Sequence, residues 1–231
     1  MRPMLLAGTW VTAPRAQPVT APFSGEVLDE VPLATPAQLD QAIAAAQGAL
    51  ATTRRLPTWQ RVDILRRISS GIQDRQETLT RTLAAESAKP LMYARGEVAR
   101  AVRTFAMAAS ELESARTDVI PLDAAPKGEG KLGMTRRFPA GPVAAITPFN
   151  FPLNLVAHKV APAIMAGCPV VLKPADKTPL SALLLAEIVL EAGWPGPALS
   201  VLNLAVEDAG PLVTDPRLAI LSFTGSGHVG W

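Results

Sequence analysis

The chain has 231 residues, which is long enough to bury a large core. Because 48% of the residues are hydrophobic and 18% are charged, the composition is too apolar for an intrinsically disordered protein. The formal net charge is only +2 and no basic run is interleaved with aromatic residues, so we expect no nucleic-acid partner. The single cysteine, Cys168, excludes an internal disulfide and predicts a cytoplasmic protein. Residues 1–10 are too short and too interrupted to predict a signal peptide or a membrane span.

Residues 1–119 are predicted to form short strands followed by helices. Residues 1–34 are rich in Pro, Thr and Gly and contain short β-type pieces such as residues 25–31. Three helical tracts are predicted next. Residues 37–51 form an alanine-rich tract. From Pro57 to Leu83 apolar residues lie three and four positions apart, with one turn skipped at Gln76, and residues 90–115 again place apolar residues on one face of a helix. We expect these elements to pack on the region that follows them.

Residues 120–138 interrupt the helical pattern with prolines and glycines between strand-like pieces, which indicates an extended β-hairpin. From residue 139 to residue 231, short apolar strands alternate with helices. This alternation predicts an α/β fold, a Rossmann-like parallel sheet with flanking helices. The predicted strands are 143–147, 170–173, 199–204 and 219–223, and the predicted helices are 153–164, 180–192 and 208–214.

Three loops leave the predicted carboxyl ends of these strands, where open parallel sheets bind ligands. Asn150 places an amide at the head of a helix, where it can stabilise an oxyanion or simply cap that helix. Lys173 and Asp176 stand three apart on a proline-stiffened loop and can either grip a ribose or lie in solvent. Residues 225–230 read Gly-x-Gly-x-x-Gly, a weak dinucleotide fingerprint whose following helix would lie beyond Trp231.

Three motifs follow one another along the chain: Thr-Pro-Phe-Asn-Phe-Pro at 147–152, Ala-Gly-Cys-Pro-Val-Val-Leu-Lys-Pro-Ala at 166–175, and Ser-Phe-Thr-Gly-Ser at 222–226. On these motifs the chain resembles the NAD(P)-dependent aldehyde dehydrogenase superfamily, most strongly over residues 133–231. The resemblance implies the N-terminal, cofactor-binding half of such an enzyme. It also implies that residues 120–138 are strands of a small oligomerisation domain.

The resemblance implies a role for each matching residue and implies no metal site. Asn150 resembles the side-chain donor of the family's oxyanion hole. The implied cofactor contacts are Ile146, Thr147, Pro148 and Phe149 at the nicotinamide and its ribose, Lys173 and Asp176 at the adenosine ribose, Gly210 in a nearby loop, Phe223, Gly225 and Ser226 at the turn beside the pyrophosphate, and Val229 toward the adenine. Asp176 stands where the family more often has glutamate, and the loop of Gly210 lacks the family's other glycines.

The family's reaction needs a cysteine nucleophile and a general-base glutamate, and the resemblance implies that both lie downstream of residue 231. We therefore expect the chain to be truncated before the catalytic domain. Cys168 does not match the position of the nucleophile. Because it precedes the apolar strand 170–173, we expect its thiol to be buried and unreactive.

The resemblance thus implies the oxidation of a small aldehyde to a carboxylic acid with NAD or NADP. It also implies that the full-length protein is a homo-oligomer, a dimer or a tetramer, and we expect this chain alone to be inactive. The carboxylate of Asp176 favours NAD, because it would repel a 2′-phosphate. Residues 133–200 resemble lactaldehyde- and succinate-semialdehyde-like branches. The alternative is a catalytically dead nucleotide-binding remnant, and a third possibility is that a separate polypeptide supplies the other half.

Overall fold

The computed structural model describes residues 1–230, and Trp231, the last residue of the predicted third region, lies outside the described residues. The strands are β1 (Met4–Leu6), β2 (Thr9–Val11), β3 (Arg15–Thr20), β4 (Val27–Leu33), β5 (Val119–Ile120), β6 (Gly133–Met134), β7 (Val143–Ile146), β8 (Val170–Lys173), β9 (Leu199–Val201) and β10 (Ile220–Phe223). The α-helices are α1 (Pro36–Thr53), α2 (Thr58–Asp74), α3 (Gln76–Ser87), α4 (Leu91–Glu113), α5 (Asn154–Ala166), α6 (Leu180–Glu191), α7 (Pro211–Thr214) and α8 (Gly227–Gly230).

Six strands form the main sheet, in the order β10-β7-β8-β9-β1-β2. The four strands from β10 to β9 run parallel, and α5 and α6 follow β7 and β8 as crossover helices. The predicted α/β fold with a Rossmann-like parallel sheet is therefore confirmed. The hairpin β1–β2 extends the same sheet with two antiparallel strands, which the sequence analysis did not predict.

Helices cover both faces of the sheet, and this explains why the parallel strands read as unbroken apolar runs. On β8, Val170 and Leu172 point into a core shared with α5 and α6, whereas Val171 points into a core shared with α1. Helices α2, α3 and α4 form an outer layer against α5 and α6. As a result α6 is packed on two sides, and nine of its twelve residues are buried.

Several predicted elements differ from the structure in their bounds, and the helix predicted at 208–214 is reduced to α7 (Pro211–Thr214), which follows a 3₁₀ turn at Val206–Asp208. The tract from Pro57 to Leu83 is two helices, because Arg75 leaves the helical conformation with φ −100° and ψ 20° and separates α2 from α3. The predicted strand 199–204 ends at Val201. The hairpin predicted at 120–138 begins one residue earlier: β5 and β6 pair with each other in an antiparallel ribbon that is separate from the main sheet. No helix in residues 1–230 combines the length and the apolarity needed to cross a membrane.

Candidate functional site

Three parallel strands end at the same level, and their loops start side by side. Phe223, Ile146 and Lys173 are direct neighbours across β10, β7 and β8. The pairing continues one residue further, since the Thr224 N–H donates to the Ile146 carbonyl at 3.1 Å and the Thr147 N–H donates to the Lys173 carbonyl at 3.2 Å. This carboxyl edge is where an open parallel sheet binds ligands.

The loop after β7 changes from buried to exposed within four residues. Thr147 is buried, Pro148 is half-buried, and Phe149 and Asn150 are exposed. The Phe149 ring lies 5.8 Å from the Lys177 Nζ, a cation–π contact between two of the loops. Within residues 1–230 the Asn150 amide makes no side-chain hydrogen bond, so it is free to donate to a ligand.

The interpretation of Asn150 as a helix cap is wrong. Helix α5 begins at Asn154, and its N-cap position is Leu153. The first backbone N–H groups of α5 donate instead to a carboxylate from another helix: Leu153 and Asn154 donate to the Glu97 Oε1 at 3.0 and 3.1 Å. Glu97 therefore caps α5, and Asn150 is available for another function.

Lys173, the last residue of β8, forms an ion pair with Asp176 in the loop that follows. The Nζ and Oδ1 atoms are 2.5 Å apart, and Lys173 is buried whereas Asp176 is half-exposed. Strand β3 supports this loop, because the Gln17 Nε2 donates to the Asp176 carbonyl at 3.0 Å. The structure therefore brings the two residues together at the carboxyl edge, with the carboxylate on the solvent side.

The glycines after β10 make room for the ring of Phe223. A Cβ atom on Gly225 would lie 2.4 Å from the Phe223 Cζ, and one on Gly230 would lie 3.0 Å from its Cε1. The Ser226 carbonyl accepts the N–H groups of Val229 and Gly230, which starts α8. Close packing around a phenylalanine thus explains two glycines of the fingerprint, and Val229 projects into solvent.

Gly210 lies apart from these residues. It is exposed, stands at the start of α7, and its carbonyl accepts hydrogen bonds from the first turn of that helix. No bond among residues 1–230 joins it to the loops after β7, β8 or β10.

The sequence analysis missed a buried lysine beside this edge. Lys159 on α5 is only 5% exposed, and its Nζ donates to the Thr224 Oγ1 at 2.8 Å and to the Ser222 Oγ at 3.2 Å. No salt bridge within the described chain includes it, and burial lowers the pKa of its amine. A single cation inside the apolar run of α5 was the signal that could have identified it.

Cys168 lies at the opposite end of the sheet. It precedes β8, so it stands at the amino end of that strand, and it is 2% exposed. The expected burial is confirmed. It lines a cavity of about 180 Å³ between α5 and the sheet together with Val143, Lys159 and Ile220. No cluster of three His, Cys, Asp or Glu side chains within residues 1–230 is arranged to hold a metal ion.

A second buried acid supports the loop of Asp176. Glu86 on α3 is fully buried and accepts the backbone N–H groups of Leu180 at 2.8 Å and Ser181 at 3.1 Å. Burial, opposed by these hydrogen bonds, raises the pKa of Glu86 to about 7. The two helices that follow the loops of Asn150 and Asp176 are therefore both capped by glutamates of the outer helical layer.

Comparison with protein-family models identifies the chain. The model of the aldehyde dehydrogenase family matches residues 10–231. This chain belongs to the aldehyde dehydrogenase family. A 3-sulfolactaldehyde dehydrogenase of Priestia aryabhattai is 38% identical over 224 residues, covering 96% of this chain and 46% of its own length. The family resemblance stated from the sequence motifs is confirmed.

Solved structures of the family agree with the fold. Aldehyde dehydrogenase 21 of Physcomitrella patens, in complex with the reaction product succinate, superposes with a TM-score of 0.96 at 42% identity, covering 100% of this chain and 48% of that one. An NAD-dependent benzaldehyde dehydrogenase of Corynebacterium glutamicum matches with a TM-score of 0.91 at 32% identity, covering 99% of this chain and 51% of that one. A glyceraldehyde-3-phosphate dehydrogenase of Bacillus halodurans, solved with NADP, matches with a TM-score of 0.95 at 31% identity. The match covers 99% of this chain and 49% of that one. The chain thus spans about half the length of the aldehyde dehydrogenases it matches.

Proposed function

We propose that this chain forms the nicotinamide-dinucleotide-binding region of an enzyme that oxidises a small aldehyde to a carboxylic acid. The observation that carries the proposal is the shared carboxyl edge of β7, β8 and β10, which gathers Asn150, the Lys173–Asp176 pair and the turn after Phe223. Ligands bind at this edge of open parallel sheets, and membership of the aldehyde dehydrogenase family supports the reaction class.

The donor set at this edge suits a dinucleotide. Lys173 presents a donor and Asp176 an acceptor on one short loop, the combination that binds ribose hydroxyls. We propose NAD as the preferred cofactor, because the half-exposed Asp176 carboxylate would repel a 2′-phosphate. Its ion pair with Lys173 weakens that repulsion, so we expect a modest preference. The nicotinamide, when bound, would accept the hydride.

Asn150 is proposed to donate its amide to the oxyanion that forms when a nucleophile adds to the aldehyde. Its exposure and the absence of a side-chain partner within residues 1–230 support this role. A fixed donor of this kind contributes about 10² to 10³ in rate. We assign the nucleophilic thiol and the general base to residues outside this chain, because Cys168 is buried at the opposite end of the sheet.

Calorimetric titration of the 231-residue chain with NAD⁺ and NADP⁺ tests the proposed binding. We expect both to bind, NAD⁺ more tightly, and we expect Lys173→Met to weaken both. Lys127→Met, which removes an exposed lysine on the segment between β5 and β6, is the control and should leave both affinities unchanged. Absence of binding by either cofactor would overturn the proposal.

Two further measurements test the finer parts. Asp176→Ser removes the carboxylate, so we expect it to improve the affinity for NADP⁺ relative to NAD⁺. Addition of an aldehyde to the chain and NAD⁺ should produce no absorbance of reduced cofactor. Turnover above background would contradict the assignment of the thiol to residues outside the chain, and Cys168 would then be the candidate nucleophile.

The substrate is proposed to be a small aldehyde that carries an anionic group. The 3-sulfolactaldehyde dehydrogenase is named for an anionic aldehyde, and the reaction product bound in the Physcomitrella patens structure, succinate, is anionic as well. The single cysteine supports a reducing compartment such as the cytoplasm.

A homo-oligomer is proposed to form through the region around the β5–β6 ribbon. This ribbon is separate from the main sheet and exposes large apolar side chains, namely Val119, Leu132, Met134 and Phe138. If the ribbon holds subunits together, Leu132→Lys should lower the molar mass measured by sedimentation. An unchanged mass for an oligomeric wild type would place the interface elsewhere.

A further inference from the structure

An ion pair between the loop that precedes α4 and α4 itself lies directly against the segment that carries Asn150. Lys89 precedes α4 and Glu97 lies in its second turn, and the Lys89 Nζ contacts the Glu97 Oε2. The Glu97 side chain is completely buried and that of Lys89 is 13% exposed. Neither residue belongs to the loops that follow the parallel strands, and the proposed reaction does not use either of them directly.

Both members of this pair use their remaining bonding capacity on residues 150–154. The Glu97 Oε1 accepts the N–H groups of Leu153 and Asn154. The Lys89 Nζ donates to the Asn150 carbonyl at 3.0 Å and lies 4.3 Å from the centre of the Phe151 ring. The cation therefore holds the start of the segment and the carboxylate holds its end.

The orientation of the Asn150 amide depends on this backbone. Because no residue within 1–230 bonds the Asn150 side chain, the backbone at Asn150 is what fixes the direction of its Cα–Cβ bond and hence the space that the amide can reach. Lys89 is the side chain that bonds the carbonyl of that peptide. Hydrogen bonds to charged groups are about twice as strong as neutral ones, so the pair fixes the segment more firmly than a neutral cap would.

We propose that Lys89 and Glu97 act together as positioning residues for Asn150. This inference rests on the proposed role of Asn150 as the oxyanion donor. Lys89 fixes the Asn150 peptide and pairs with one oxygen of the buried Glu97 carboxylate, while the other oxygen of that carboxylate caps α5. Loss of either charge would release one end of the segment and allow the Asn150 amide to turn away from the position of the reacting carbonyl.

The test compares Lys89→Met with Lys89→Arg in the 231-residue chain. Hydrogen exchange of a peptide covering residues 149–155 and the side-chain amide NMR signals of Asn150 are the readouts. We expect Lys89→Met to accelerate exchange in this peptide about tenfold, the effect of losing one charged hydrogen bond, and to shift and broaden the Asn150 signals. Lys89→Arg, which keeps the charge and the donor, should restore both.

Two further variants keep the test decisive. Because Lys89→Met leaves a buried carboxylate unpaired and can unfold the chain, the double variant Lys89→Met/Glu97→Gln removes both charges, and we expect it to fold with the same local release. Arg81→Met breaks an exposed ion pair with Glu77 on α3 and should leave the hydrogen-exchange rate of residues 149–155 unchanged. If the hydrogen-exchange rate of residues 149–155 is the same as in the wild type in both Lys89→Met and the double variant, the positioning role is overturned. It is also overturned if exchange accelerates equally throughout the chain.

Calorimetry of the wild-type chain with NAD⁺, run in parallel, separates this inference from the proposed function. If the wild type binds NAD⁺ but the exchange at residues 149–155 is insensitive to Lys89, the positioning role is overturned while the cofactor-binding proposal stands. If the wild type does not bind NAD⁺ but the local release and its rescue by arginine are observed, the positioning of residues 150–154 by Lys89 and Glu97 is supported and the proposed function fails.

Discussion

The carboxylate of Glu86 accepts the backbone N–H of Leu180 at 2.8 Å, across a separation of 94 residues in the chain. A residue of the outer helical layer thereby begins the helix that follows the loop of Asp176. Since this carboxyl group is fully buried, its ionisation is coupled to the stability of the fold.

Glu86→Gln is expected to change how stability depends on pH. The pKa of Glu86 rises from 4.5 to about 7 on folding, so the folded chain binds a proton more tightly than the unfolded chain does. Its contribution to stability is therefore full below pH 4.5 and is lost as pH rises toward 7, by up to roughly 3 kcal/mol. The variant should gain stability relative to the wild type between pH 5 and pH 8, as measured by urea unfolding. Glu77→Gln, an exposed position on α3, is the control, and an equal difference at both pH values would contradict the expectation.

Lys159→Met should show a pH effect of the opposite sign at higher pH. Burial lowers the pKa of Lys159 below 10.5, so the folded chain binds this proton less tightly than the unfolded chain does. The wild type therefore gains stability as pH rises through the lowered pKa toward 10.5. We expect the stability of the variant relative to the wild type to be highest near pH 7 and to decline toward pH 10, whereas Lys127→Met should show no such trend. A flat difference would show that Lys159 is not desolvated in solution.

Gly225→Ala should disturb the turn after β10. The added Cβ would lie 2.4 Å from the Phe223 ring, so the ring or the turn must move, at a cost of about 1–3 kcal/mol. We expect a lower melting temperature and weaker NAD⁺ binding. Gly48→Ala on α1, where no atom lies within 4 Å, should instead stabilise the chain by about 1 kcal/mol and leave binding unchanged. Normal binding by Gly225→Ala would remove this turn from the cofactor site.

Gly8→Ala should destabilise the hairpin that extends the main sheet. Gly8 has a φ of +82°, and its added Cβ would lie 2.4 Å from the Gly196 Cα. Strain and overlap together should cost about 2–4 kcal/mol, measured by urea unfolding. Gly25→Ala separates the two effects, because Gly25 has a φ of +73° but no atom within 4 Å. We expect it to cost about 1–2 kcal/mol, the strain alone. Equal losses in the two variants would argue against the close contact with Gly196.

Local patterning was sufficient to predict the parallel strands and their helices. The strand 170–173 was predicted with its observed bounds, because a short apolar run between breakers permits few other structures. The pair Lys173 and Asp176 was also predicted, since three residues on a stiff loop cannot lie far apart. The prediction failed at Arg75, where one residue leaves the helical conformation while the apolar spacing continues on both sides.

The sequence by itself determined the α/β class, the carboxyl-edge loops and the family, because each depends on residues that are close together in the chain. Only the tertiary structure decided that Glu97 caps α5, that Glu86 caps α6, and that Lys159 is buried without an acidic partner in residues 1–230. Those contacts join residues that are between 56 and 94 positions apart, and no local periodicity encodes them. A glutamate on a helix has the same pattern whether it faces water or a buried helix end, and the packing of neighbouring helices makes the difference.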